Sequence, residues 1–115
     1  MAKTRVLVWN EYVHEQKDEA VKKIYGKEGI HGHIAKYLKA NGPELDVKTA
    51  TLQDDEAGLT VEALKNTDVL IWWGHAAHHW VLDEHVDRIQ KRILEGMGLI
   101  VLHSGHMSKI FRRMM

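Results

Sequence analysis

The stretch Gly98-Leu99-Ile100-Val101-Leu102-His103-Ser104-Gly105-His106 constrains the fold of this chain more than any other. Its uninterrupted apolar run predicts a strand buried on both faces, because a half-exposed strand would alternate apolar and polar residues. The run stops abruptly at polar residues, Gly105 permits a tight turn, and a helix is expected from near Met107. A strand, an elbow and a helix in that order hold a side chain above the carboxyl edge of a sheet, where open α/β folds place their ligands. His103, Ser104 and His106 are therefore the first candidates for function.

Three further segments supply the rest of such a sheet. Arg5-Val6-Leu7-Val8-Trp9 is continuously apolar after its first residue, ends at Asn10-Glu11 and predicts a central strand. Asp46 to Leu52 sets Val47, Thr49 and Thr51 against Lys48 and Ala50, the alternation of a strand nearer the sheet edge. Asp68-Val69-Leu70-Ile71-Trp72-Trp73 is the third strand and ends at Gly74-His75.

Helical segments separate these strands. One runs from Asp18 to Tyr25 and is broken by Gly26 and Gly29. In the next, Ile30, Ile34, Tyr37 and Leu38 recur at helical spacing until Asn41-Gly42-Pro43 ends the helix. Thr60 caps a short third helix, with Glu62 near its start and Lys65 near its end, as the helix dipole favours. From Asp83 to Glu95, Leu82, Val86, Ile89 and Ile93 share one face, and Gly96 closes the segment. The order β-α-β-α-β-α-β-α with short connections is that of a doubly wound parallel sheet with right-handed crossovers.

A chain of 115 residues, 44% of them hydrophobic, suits one domain with a packed core. Its 16 basic residues match its 16 acidic ones, so no overall field draws it to nucleic acid or to an acidic membrane. With no cysteine it has no disulfide, no thiolate nucleophile and no thiolate metal ligand. Met1-Ala2-Lys3-Thr4-Arg5 leads directly into a strand and matches neither a signal peptide nor a membrane span, so a cytoplasmic location is the expectation. The last helix is read as lacking a cap, and the chain is expected to be an N-terminal part of a longer domain.

Histidine is the unusual residue, with nine in all. Parallel strands share their carboxyl ends, so the loops after strands one, three and four gather at one edge. They carry Asn10, Glu11, His14 and Glu15; Gly74, His75, His78 and His79; and His103, Ser104 and His106. His31 and His33 join them from the start of the first crossover helix, and His85 alone stands apart. Imidazole binds divalent transition metals and titrates near neutral pH, so the cluster suits metal binding or acid and base chemistry. His75 and His78, like His103 and His106, are three residues apart and can converge on one ion, although neither pair forms an HExxH signature. Zinc is the first metal to consider.

Trp73, nearest the loops, can line a pocket for a sugar or ring, whereas Trp9 and Trp72 suit the core. Lys109, Arg112 and Arg113 read as a solvated face rather than an anion site. Gly29-Ile30-His31-Gly32 lacks the third glycine of a dinucleotide loop and does not directly follow a strand, so no nucleotide cofactor is expected.

Taken together, Val8-Trp9-Asn10-Glu11, His14-Glu15, Gly29-Ile30-His31-Gly32, Trp72-Trp73-Gly74-His75 with His78, and Leu102-His103-Ser104-Gly105-His106 with Ser108-Lys109-Ile110-Phe111 resemble the ThuA family of trehalose utilisation proteins. The resemblance covers essentially the whole chain. It implies a single α/β domain over 1–115 with a flavodoxin-like, class I glutamine amidotransferase-like fold, in a family whose members are longer than this chain. It also implies a role in the catabolism of trehalose and related disaccharides through oxidised keto-sugars. Where the amidotransferases carry their nucleophilic cysteine, this chain has His103, followed by Ser104 and then by the matching Gly105-His106. Thiolate hydrolysis of glutamine is thereby excluded. Ser104 has no evident base fixed by a third residue, which makes a serine hydrolase a poor fit.

Two classes of function stay open. In the first, an isomerase, lyase or hydrolase binds a small sugar through Asn10, Glu11, His31, Trp73, Gly74 and Ser104. A metal on His75, His78 and His106, with His103 at the elbow, polarises a carbonyl, while His14 or Glu15 moves a proton. In the second, the fold and its pocket persist as a sugar- or metal-binding module that performs no chemistry. A small-molecule sugar is the expected partner, with no nucleic acid and no membrane, and self-association as a homo-oligomer stays open.

Overall fold

The computed structural model describes residues 3–13, 17–75 and 77–115, with the side chains of Tyr25, Lys27 and His103 outside the description. Its regular elements are β1 (Thr4–Asn10), α1 (Glu19–Tyr25), α2 (Gly29–Asn41), β2 (Leu45–Thr51), α3 (Val61–Lys65), β3 (Val69–Trp73), α4 (Asp83–Leu94), β4 (Gly98–Val101) and α5 (Lys109–Met114). The strands form one parallel sheet in the order β2-β1-β3-β4. This is the start of the flavodoxin-like order, and β1, the most deeply buried strand, takes the interior position its sequence predicts.

Alternation along each strand divides the core between two faces. Val6, Val8 and Val47 meet Ala35, Ile34 and Leu38 of α2 on one face. On the other, Leu7, Trp9, Leu70 and Trp72 pack with Leu64 of α3, Val86 and Ile89 of α4 and Ile110 of α5. Trp9 and Trp72 stack at 3.8 Å between centroids and 10° between planes at the centre of this second layer. Trp9 Nε1 donates to the carbonyl of Ala57 at 2.8 Å. That carbonyl is presented by a turn in which Glu56, Ala57 and Gly58 all have positive φ. A Cβ on Gly58 would lie 2.5 Å from Ala50 Cβ, so the turn needs glycine where it crosses β2.

The caps follow the sequence. Asp18 accepts from the amides of Ala20 and Val21 at the start of α1, Thr60 Oγ1 accepts from Ala63 at the start of α3, and the Gly42 N–H bonds to Leu38 O at the end of α2. At the amino edge, Arg5 and Asp68 tie β1 to the start of β3 through three hydrogen bonds of 2.8 to 3.1 Å.

Three local expectations are corrected. In β2, Val47 and Ala50 are the buried residues and Thr49 is exposed: Val47 lies under Ile34, Ala35 and Leu38 of α2, Ala50 lies under the Ala57 turn on the other face, and Thr49 opens on a surface groove beside His31, Lys36 and Lys39 of α2. The strand β4 is not buried on both faces: Ile100 is 50% exposed, since α2 lies over β1 and β2 and leaves the outer strand of the sheet uncovered. After β4 the chain does not turn directly into a helix. A 3-10 turn over His103–Met107 intervenes, and α5 begins only after the Ser108 cap. Among the described residues, no helix is long and apolar enough to cross a membrane.

Candidate functional site

The carboxyl ends of β1 and β3 are level, with Asn10 paired to Trp73 in register. Alternation turns Asn10 toward α2 and Glu11 toward the opposite face. Both are buried, at 0% and 1% exposure. The Asn10 amide Nδ2 stands 3.0 Å from His31 Nδ1, and Asn10 Oδ1 accepts from the Tyr12 amide at 3.0 Å. The Glu11 amide donates to Trp73 O, and Glu11 Oε2 accepts from the Ala77 amide at 2.8 Å. A carboxylate removed from water needs such donors, and the loop after β3 supplies this one.

His78 approaches Glu11 from the same loop. A Cβ built on Gly74 would lie 3.1 Å from His78 Nδ1 and 3.6 Å from Glu11 Oε2, so the imidazole and the carboxylate crowd the same point. A larger residue here would press on the His78 ring. Burial pulls the His78 pKa below the usual histidine value of 6.5; Glu11 opposes the shift, and His75 and His106 reinforce it. The ring also bonds the backbone of His75, which favours its charged form. Near neutral pH, His78 is thus a neutral imidazole able to accept a proton, with a buried carboxylate on hand to stabilise the resulting cation.

Among the remaining residues singled out by sequence, His75 lies against Trp73 with 6.2 Å between ring centroids, and His106 is exposed on the turn after β4. His75, His78 and His106 therefore share a neighbourhood, but among the described residues no three His, Asp or Glu side chains are grouped to hold a metal ion. Ser104 Oγ is sealed from solvent without a hydrogen-bond partner among the described residues. No positive φ occurs among the described residues of this turn, so it lacks the strained geometry of a nucleophile elbow. His14 and Glu15 lie outside the described residues; of His103 only the backbone, at the head of the turn, is described.

Three other histidines have neighbours of their own. His33 faces Glu28 at 4.0 Å, His79 meets Trp80 edge-on, and His85 is buried on α4. The cations of α5 are largely paired: Lys109 bonds Val81 O and Asp83, and Arg113 bonds Asp87 and Gln90.

A family model described as ThuA, trehalose utilisation, matches residues 5–115. The chain belongs to the ThuA family. Among curated proteins, none matches it. In this ThuA chain the motif residues Asn10, Glu11, His31, Gly74, His75 and His78 come from three separate segments and meet at one sheet edge. Sequence reasoning placed Glu11 among substrate-binding residues. Its full burial was foreshadowed only by its position two residues past a continuous apolar run. The contribution of the Ala77 amide left no local signal.

Proposed function

We propose that this ThuA protein acts on a disaccharide or a keto-sugar, with His78 as proton acceptor and Glu11 as the carboxylate that orients it and balances its charge. The observation that carries the reading is the approach of both groups to Gly74 at the carboxyl edge. The substrate class is supported by the family's description. In a keto-sugar the carbonyl acidifies the neighbouring C–H, and a neutral imidazole suits its removal. His31 and Trp73, both partly exposed at this edge, serve as the sugar contacts, and the buried Asn10 holds the His31 ring in place. A divalent cation such as zinc would polarise the carbonyl when bound; the described donors alone do not make a three-ligand set, and no step here runs through one. His103, at the head of the β4 turn, is the next residue to substitute.

A second reading, binding without conversion, is favoured by the absence of any cysteine from the chain. Calorimetry and turnover assays with trehalose and its keto derivatives separate the two. Conversion by the native protein, reduced about 10²- to 10⁴-fold in Glu11→Gln and His78→Gln, is the expected result for a proton-transfer pair. Saturable binding with no conversion supports the binding module. Conversion undiminished in both variants overturns the assignment of the pair.

A further inference from the structure

The end of β1 is held from the loop beyond β2. Gln53, two residues past Thr51, uses one Nε2 to donate to two successive carbonyls, Glu11 O at 3.1 Å and Tyr12 O at 3.2 Å. Tyr12 has a φ of 53°, a left-handed conformation that a bulky side chain adopts only when its surroundings impose it. The Asn10 side chain receives the Tyr12 amide, and the Tyr12 ring meets the His31 ring at 5.1 Å and 50°. Three hydrogen bonds from two side chains thus converge on a two-residue turn. Gln53 is exposed, and water could satisfy both carbonyls in its place. What water cannot do is fix their relative orientation.

We propose that Gln53 is a positioning residue for this site: by clamping the Glu11 and Tyr12 carbonyls it sets the direction of the Glu11 carboxylate toward the Ala77 amide and of the Tyr12 ring toward His31. The inference rests on the proposed function only in taking the end of β1 as the working site. On the opposite wall, Glu11 Oε2 bonds an amide 66 residues away, so a small rotation of the Glu11 backbone separates the β1 end from the β3 loop. The clamp reaches 42 residues along the chain to prevent it.

Amide hydrogen exchange on the full chain tests this. Gln53→Met keeps the length and loses the donor; Gln53→Glu keeps the shape and replaces the donor by a carboxylate. Both are expected to raise exchange at Tyr12 and Ala77 about fivefold or more, the effect of losing roughly one hydrogen bond. They should also weaken the contact between the Tyr12 and His31 rings in nuclear Overhauser spectra, with the Val8 and Leu70 amides unchanged. Thr60→Ala serves as the control, since it removes a cap bond remote from the turn and should leave Tyr12 and Ala77 as they are. Exchange at Tyr12 and Ala77 within about twofold of native, or a rise shared equally by Val8 and Leu70, overturns the proposal. If the native protein binds neither trehalose nor its keto derivatives while Gln53→Met still loosens Tyr12 and Ala77, the sugar reading falls and the positioning role stands.

Discussion

At the scale of single residues, Gly74 is the position where space decides chemistry. An alanine there would bring its Cβ within 3.1 Å of His78 Nδ1, so the ring must give by a few tenths of an ångström to admit it. Gly74→Ala is expected to cost about 1–3 kcal/mol, as overpacking does, and to displace the His78 ring resonances; denaturant titration and proton spectra check both. His78 itself links stability to pH. Its folded pKa lies below 6.5, so the unfolded chain takes up the proton first as pH falls through 6.5. Stability should decline from there and level off below the folded value, and His78→Gln should remove that part of the slope. Asp68 has the opposite sign. The Arg5 guanidinium and amide hold its carboxyl down from 3.8 to about 2, so its contribution is present above 3.8 and lost as pH falls to about 2. In Asp68→Asn the acid denaturation curve should flatten over that window, with binding at the opposite sheet edge unaffected.

At the scale of elements, the turn over Asp55–Gly58 shows how one loop serves the core. Consecutive left-handed residues fold it back on Ala50 and aim the Ala57 carbonyl at Trp9. Gly58→Ala combines a disfavoured φ with a clash 2.5 Å from Ala50 Cβ. On the order of 2–4 kcal/mol of stability should be lost, with a change in near-ultraviolet circular dichroism as Trp9 loses its partner. In the element after β4, Gly105 packs where a Cβ would sit 2.8 Å from Val101 and 3.5 Å from Trp72. The 3-10 turn occupies His103–Met107, and α5 starts only where Ser108 Oγ accepts from the Phe111 amide.

At the scale of the whole molecule, the stacked Trp9 and Trp72 join β1 and β3, the two strands that deliver Glu11 and His78. Core and site therefore share their supports. In a double-mutant cycle with Trp9→Phe and Trp72→Phe, the coupling should be about 0.5–1.5 kcal/mol, measured by urea denaturation. A coupling near zero would mean that the two rings contribute only through the area each buries.

Much of the architecture was legible in the residues themselves. Apolar periodicity set the order of strands and helices, and Asp18, Thr60 and Gly42 marked helix ends, because these signals act over a few neighbouring residues. The convergence of Asn10, His31, Gly74, His75 and His78 at one edge also followed from sequence, since parallel strands necessarily share their carboxyl ends. The missing cysteine excluded a thiolate outright. Only the tertiary structure decided which of these groups are buried and paired. Glu11 meets an amide 66 residues away, Gln53 spans 42 residues to hold the same turn, and Arg5 finds Asp68 across 63. Such partners are chosen by the path of the crossovers and the placement of the helices, which also leaves Ile100 uncovered. A run of apolar residues specifies a strand; its neighbours in space specify how much of it meets water.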